Sequence, residues 1–133
     1  TIYGSRFLVI GYGRVGKVLS TRLTALGADV TVCARKLSDC ALAESFGCKT
    51  DRTGMYLRGL SRYECIFNTV PARVLTPEDF ASMRPDCLVI DLSSGADAGD
   101  SRYLRAPGLP GKCSPESAAE LIKNAILDAL AAP

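Results

Sequence analysis

The stretch Phe7-Leu8-Val9-Ile10-Gly11-Tyr12-Gly13-Arg14-Val15-Gly16 decides the fold. Its four leading apolar residues read as a short strand buried on both faces. Glycines follow at once, and then Val15, Leu19, Leu23 and Leu26 recur at helical spacing, giving one apolar stripe. Gly-x-Gly-x-x-Gly alone is a weak pattern; a strand directly before it and an amphipathic helix directly after it make it specific. In that setting Gly11 permits the tight turn, Gly13 lets a diphosphate approach the backbone, and Gly16 lets the helix pack on the strand. The N–H groups and positive dipole end of the helix then face the phosphates. The competing reading is a strand-to-helix turn that holds no ligand.

Outward from this loop, strands and helices alternate. Gly27 stands where a helix needs a left-handed residue to stop, and Val30-Thr31-Val32-Cys33-Ala34 reads as a second strand. Ser38 or Asp39 is placed to cap a helix running to about Phe46 and closed by Gly47, with Cys48-Lys49-Thr50 a weak third strand. A short helix is expected around Tyr56 to Leu60, and a strand from Cys65 to Val70 ended by Pro71. Thr76-Pro77-Glu78-Asp79 carries cap, proline and acids in the order that opens a helix. Cys87 to Leu92 is the next strand. After a Gly/Ser/Ala/Asp-rich loop, Tyr103-Leu104-Arg105-Ala106 is the last. Ser114-Pro115-Glu116 opens a final helix with Ala118, Ile122, Ala125, Ile126, Ala129 and Leu130 as its apolar stripe. This alternation predicts an α/β fold: a Rossmann-type doubly wound parallel sheet in three layers, with residues 1–133 as a single domain.

Such a domain binds dinucleotides across the carboxyl ends of its strands. Gly11, Tyr12, Gly13, Arg14, Val15 and Gly16 are the candidates for the diphosphate. At the end of the second strand, NAD-preferring domains place an acid for the ribose hydroxyls. Here the residues are Ala34-Arg35-Lys36, and Asp39 stands too far on to be counted as that acid. Arg35 offers a forked, charge-assisted pair to a 2′-phosphate and Lys36 a second charge, so NADP is favoured and NAD remains the alternative. A solvated basic loop is the plainer reading. Asn68, Thr69, Val70 and Pro71 follow the fourth strand and are candidates for the nicotinamide ribose and ring, against a simple capped strand end for Asn68. Asp91 reads as a loop cap. In the rigid turn Ala106-Pro107-Gly108-Leu109-Pro110-Gly111-Lys112, Gly108 and Lys112 are the substrate-side candidates.

The bulk composition narrows the choices. The chain has 133 residues, 47% of them hydrophobic and 23% charged, enough to bury a core. Sixteen basic and fourteen acidic side chains leave a net charge of +2, too small and dispersed for a nucleic-acid footprint. No apolar run is long enough to span a bilayer, and Thr1-Ile2-Tyr3-Gly4 has no signal-peptide layout, so the chain reads as an excised piece of a longer protein. Histidine is absent, which removes Ser-His, Cys-His and His-metal chemistry from this chain. Cys33, Cys40, Cys48, Cys65, Cys87 and Cys113 form no C-x-x-C pair; they read as free structural thiols of a cytoplasmic protein, and no metal is expected.

Several of these stretches together resemble the carboxy-terminal half of the A subunit of dipicolinate synthase. They are Val9 to Gly16, Leu26-Gly27-Ala28-Asp29-Val30-Thr31-Val32, Ala34-Arg35-Lys36, Phe67-Asn68-Thr69-Val70-Pro71 and Ile90-Asp91-Leu92-Ser93-Ser94. The most specific is Ala106-Pro107-Gly108-Leu109-Pro110-Gly111-Lys112-Cys113-Ser114-Pro115, similar to that family's A-P-G-L-P-G signature before its last helix. The resemblance implies oxidation of dihydrodipicolinate to dipicolinate in a spore-forming bacterium. It also implies a flavoprotein-like partner, the B subunit of that synthase, and an amino-terminal substrate domain. One departure is the stretch 95–102, shorter than the family's extra helix and linking loop; it leaves the sixth strand and that loop's substrate contacts open. Hydroxyacid dehydrogenases and adenosylhomocysteinase share the cofactor domain, and fold alone does not fix chemistry.

Three functions stand at this point. The first is half of an oxidoreductase that positions a nicotinamide against a dicarboxylate, with Lys112, Arg73 and Arg14 as the nearest cations and no proton-transfer residue assigned. The second is a non-catalytic NAD(P)-sensing regulatory domain, which Arg35-Lys36 and the Pro-Gly turn argue against. The third is an assembly domain that forms a homo-oligomer through its last helix.

Overall fold

The computed structural model describes residues 2–52, 59–71 and 74–92, and the backbone of 103–105. Six strands form one sheet: β1 (Arg6–Ile10), β2 (Asp29–Ala34), β3 (Lys49–Arg52), β4 (Cys65–Asn68), β5 (Leu88–Asp91) and β6 (Tyr103–Arg105). Their spatial order is β3-β2-β1-β4-β5-β6 and every neighbouring pair is parallel. This is the Rossmann-type doubly wound order, in which the chain fills one side of β1 and then crosses to the other.

Alternation along β1 divides the core. Phe7 and Val9 face a layer with α1 (Arg14–Ala25) and α2 (Leu37–Ser45), where they join Leu19, Leu23, Val30, Val32 and Phe67. Leu8 and Ile10 face the opposite layer with α3 (Pro77–Ser82) and a single 3-10 turn, Leu60–Arg62, where they join Leu60, Ile66, Phe80 and Val89. Both faces of the sheet are therefore covered, giving three layers, as a parallel sheet with continuous apolar strands requires. Phe7 and Phe67 meet edge to face across adjacent strands, 5.8 Å between ring centres.

Helix ends follow the sequence closely. Gly27 has φ +90°; its N–H donates to the Thr24 carbonyl at 2.9 Å and the next N–H, of Ala28, to Leu23 at 3.1 Å. That is a Schellman stop, and Gly47 (φ +92°) repeats it, with Cys48 N–H reaching Ala43. Thr76 caps α3: its hydroxyl accepts from the Asp79 N–H at 3.2 Å while the Asp79 carboxylate accepts from the Thr76 N–H at 2.8 Å.

Four expectations need adjusting. Leu26 is the C-cap of α1 and is exposed, so the buried stripe is Gly16, Leu19, Ser20 and Leu23. Lys36, not Ser38 or Asp39, occupies the N-cap of α2, and no side chain caps that end. Of the short helix expected around Tyr56 to Leu60, residues 56–58 lie outside the described residues; Gly59 is left-handed and a 3-10 turn follows at Leu60–Arg62. β4 stops at Asn68, two residues early, because the Asn68 side chain folds back onto Val70. The loop after Leu92, the Pro-Gly turn with Gly108 and Lys112, Cys113 and the final helix lie outside the described residues.

Candidate functional site

β1 and β4 lie side by side at the centre, and the chain leaves them toward opposite edges of the sheet. Their carboxyl ends open the crevice where ligands of such sheets sit. Thr69 holds the two ends together: its N–H and its hydroxyl both donate to the Ile10 carbonyl, at 2.9 and 2.8 Å.

The three glycines of the loop are required for different reasons. Gly11 has φ +101°, and a Cβ there would run into the Thr69 hydroxyl and lie 2.8 Å from a Val70 methyl. Gly16 is pressed against the Gly11 carbonyl, so a Cβ would collide with β1's exit. Gly13 differs. Its φ is −79°, which any residue tolerates, and a Cβ built on it meets nothing within 4 Å. Neither backbone nor packing demands glycine at this position; the space over it opens into the crevice. Gly13 is also the N-cap of α1, which has no side-chain cap and no acid in its first turn. A helix end in that condition presents N–H donors and a positive dipole end to an anion.

A cavity of about 580 Å³ lies over this loop. It brings together Gly11, Tyr12 and Gly13 from the loop, Ala34, Arg35 and Lys36 from the end of β2, and Val70 from the end of β4. Arg35 and Lys36 are exposed, and among the described residues no ion pair engages them. These surroundings fit a dinucleotide: bare backbone and a helix end for the diphosphate, cations at the far end of β2, and apolar side chains between.

Other expected residues lie around the cavity rather than on its wall. Arg14, Val15 and Gly16 form the first turn of α1. Asn68 is buried and its carboxamide is engaged: the oxygen accepts from Val70 N–H at 3.0 Å, and the nitrogen donates to the Val70 carbonyl at 3.1 Å and to Asp91 at 3.4 Å. Asn68 is thus a clamp between the ends of β4 and β5, while Pro71 is exposed beyond it. Gly108 and Lys112 lie outside the described residues.

The cavity also takes residues that the sequence reading left out or, in the case of Asp39, set aside for its spacing. Ile10, Cys33 and Val74 give the floor apolar surface, and Lys17 and Asp39 give it charge. Lys17 stands one helical turn after Gly13, a spacing visible in the sequence. Asp39 reaches the cavity because α2 begins at Leu37 and so folds back over the end of β2. Tyr12 is buried beneath them, with Lys17 Nζ 5.8 Å from its ring centre. Burial, then Cys48 and Asp39, raise its hydroxyl above the ordinary tyrosine value.

The five described cysteines are buried, and none is in a disulfide. Complete burial, reinforced by Cys87, pushes the Cys65 thiol well up, so it remains the un-ionised and unreactive form. Among the described residues no cluster of three or more His, Cys, Asp or Glu side chains offers a metal site, and no helix is long and apolar enough to cross a membrane.

No family model matches the chain. The dipicolinate synthase A subunit of Bacillus subtilis (strain 168) is 32% identical over 139 residues, covering 98% of this chain and 47% of that protein. The crystal structure of the dipicolinate synthase A subunit from Bacillus halodurans superposes with a TM-score of 0.77 at 33% identity, over 99% of this chain and 48% of that one. A transhydrogenase from Sinorhizobium meliloti shares the fold at 18% identity, with a TM-score of 0.68 over 90% of this chain and 41% of its own. The chain spans about half the length of the curated relative it matches. Over nearly all of its own length, in sequence and in fold, it is similar to the A subunit of dipicolinate synthase.

Proposed function

We propose that this chain is the nicotinamide-dinucleotide-binding domain of an oxidoreductase resembling the dipicolinate synthase A subunit, with NADP favoured over NAD. The observation that carries the reading is Gly13: a glycine that neither the backbone nor the packing requires, at an uncapped helix end, beneath an open cavity. A diphosphate over that position accounts for the missing side chain. Arg35 and Lys36 at the far end of the same cavity support a 2′-phosphate.

When bound, the dinucleotide supplies hydride transfer at its nicotinamide; the chain's own residues hold and orient it. Gly11, Tyr12, Gly13, Arg14, Val15 and Gly16 receive the diphosphate, with Ala34, Arg35 and Lys36 around the adenosine ribose. Val70 and Pro71 border the nicotinamide end, and Asn68 and Thr69 fix that loop. The similarity to dipicolinate synthase supports dihydrodipicolinate, a dicarboxylate, as the substrate, with Gly108 and Lys112 on its side of the cleft. It also supports the flavoprotein-like B subunit of such a synthase as the partner, and the cytoplasm as the location. The residues that complete the substrate side belong to the part of such a protein that this chain does not match, so the isolated domain binds cofactor and turns nothing over.

Calorimetric titration of the intact protein with NADPH and NADH tests the reading. Gly13→Ala weakens both by more than about tenfold while costing the fold no more than the roughly 1 kcal/mol of an alanine at a helix N-cap, because the added methyl meets only the ligand. Undiminished binding by Gly13→Ala, or no binding of either dinucleotide by the unaltered protein, overturns it.

A further inference from the structure

Asp39 lines the same cavity as Arg35 and Lys36, from the first turn of α2. It is half-buried, and its carboxylate has no hydrogen-bond or ion-pair partner among the described residues. Tyr12 shares that wall. It is 6% exposed, and its hydroxyl likewise makes no hydrogen bond among the described residues. Both line the same cavity, and burial, then Cys48, then Asp39 raise the hydroxyl's pKa above its ordinary value. A carboxylate in the first turn of a helix favours the dipole, which explains an acid there, though not an unpaired one facing a cavity beside two unpaired cations. An acceptor beside a donor is the chemistry that reads a ribose diol, and the same negative charge repels a phosphate ester.

Resting on the dinucleotide reading of this cavity, we propose that Asp39, seconded by Tyr12, is the specificity-determining acid of the adenosine-ribose pocket. It accepts hydrogen bonds from the free 2′- and 3′-hydroxyls of an unphosphorylated dinucleotide and opposes the 2′-phosphate that Arg35 and Lys36 attract. The cleft therefore takes both forms of the cofactor, and Asp39 sets their ratio. Its place on α2, rather than at the end of β2, is what conceals it from a reading of strand-end spacing.

The experiment is titration of the intact protein and its Asp39→Asn variant with NADPH, NADH and 2′-phospho-adenosine diphosphate ribose, with thermal melting alongside. In Asp39→Asn, NADH binding weakens, NADPH and the phosphorylated fragment bind tighter, and their affinity ratio shifts by about tenfold or more. Tyr12→Phe weakens NADH without strengthening NADPH, since it removes a donor and no charge. If Asp39→Asn leaves the ratio unchanged, or lowers both affinities and the melting temperature together, Asp39 is only a helix-end residue and the assignment fails alone. If the unaltered protein binds none of the three, the dinucleotide reading falls and this inference with it.

Discussion

Three glycines stand within six residues, and only two are structural. A side chain at Gly11 or Gly16 would collide with Thr69, Val70 or the Gly11 carbonyl, while one at Gly13 would meet no protein atom within 4 Å. The sequence already separates their roles by position in the pattern; the structure supplies the contacts at Gly11 and Gly16 and the open space over Gly13. Arg35 is visible from its position after β2. Asp39 is set aside by strand-end spacing, because its approach to the cavity depends on where α2 starts and how it lies. Arg35→Asp replaces a forked donor with a repelling charge, so NADPH affinity should fall roughly a hundredfold with NADH little changed, as read by calorimetry. Asn68 teaches the opposite lesson. A polar residue at a strand end in a binding crevice looks available, yet its carboxamide is engaged with Val70 and Asp91.

At the scale of elements, β1, β2, α1, β4 and β5 were readable because apolar runs and Schellman glycines are local signals. Boundaries moved by one or two residues, as at Asn68, where a side chain intervened, and at Lys36, the N-cap of α2, which no side chain caps. β3 was weak in the sequence because it is an edge strand: Lys49 and Arg52 are exposed, Thr50 and Asp51 half-buried, and no apolar run marks it. α3 is the clearest local success, since Thr76, Pro77 and Asp79 each occupy the role their order implies. It is also only six residues long, so its capping box weighs heavily in its stability. Thr76→Ala should cost about 1 kcal/mol in urea unfolding. Asp79→Asn, which keeps an acceptor for the Thr76 N–H, should cost less.

At the scale of the whole molecule, the two cores among the described residues lie on opposite faces of the central strands. β1 contributes Phe7 and Val9 to one and Leu8 and Ile10 to the other, and all four are buried. Native-state hydrogen exchange should therefore find its slowest amides in β1 and the neighbouring β2 and β4, with β3 exchanging well before them. Equal protection of β3 and β1 would contradict this division. The cavity has a bearing on the same architecture. Its walls take Tyr12 and Ala34 from the α1–α2 core and Ile10 and Cys33 from the α3 core. A guest seated there is a keystone between two vaults: it touches both hydrophobic halves at once, so neither can loosen without releasing it, and occupancy tightens the entire sheet as one unit.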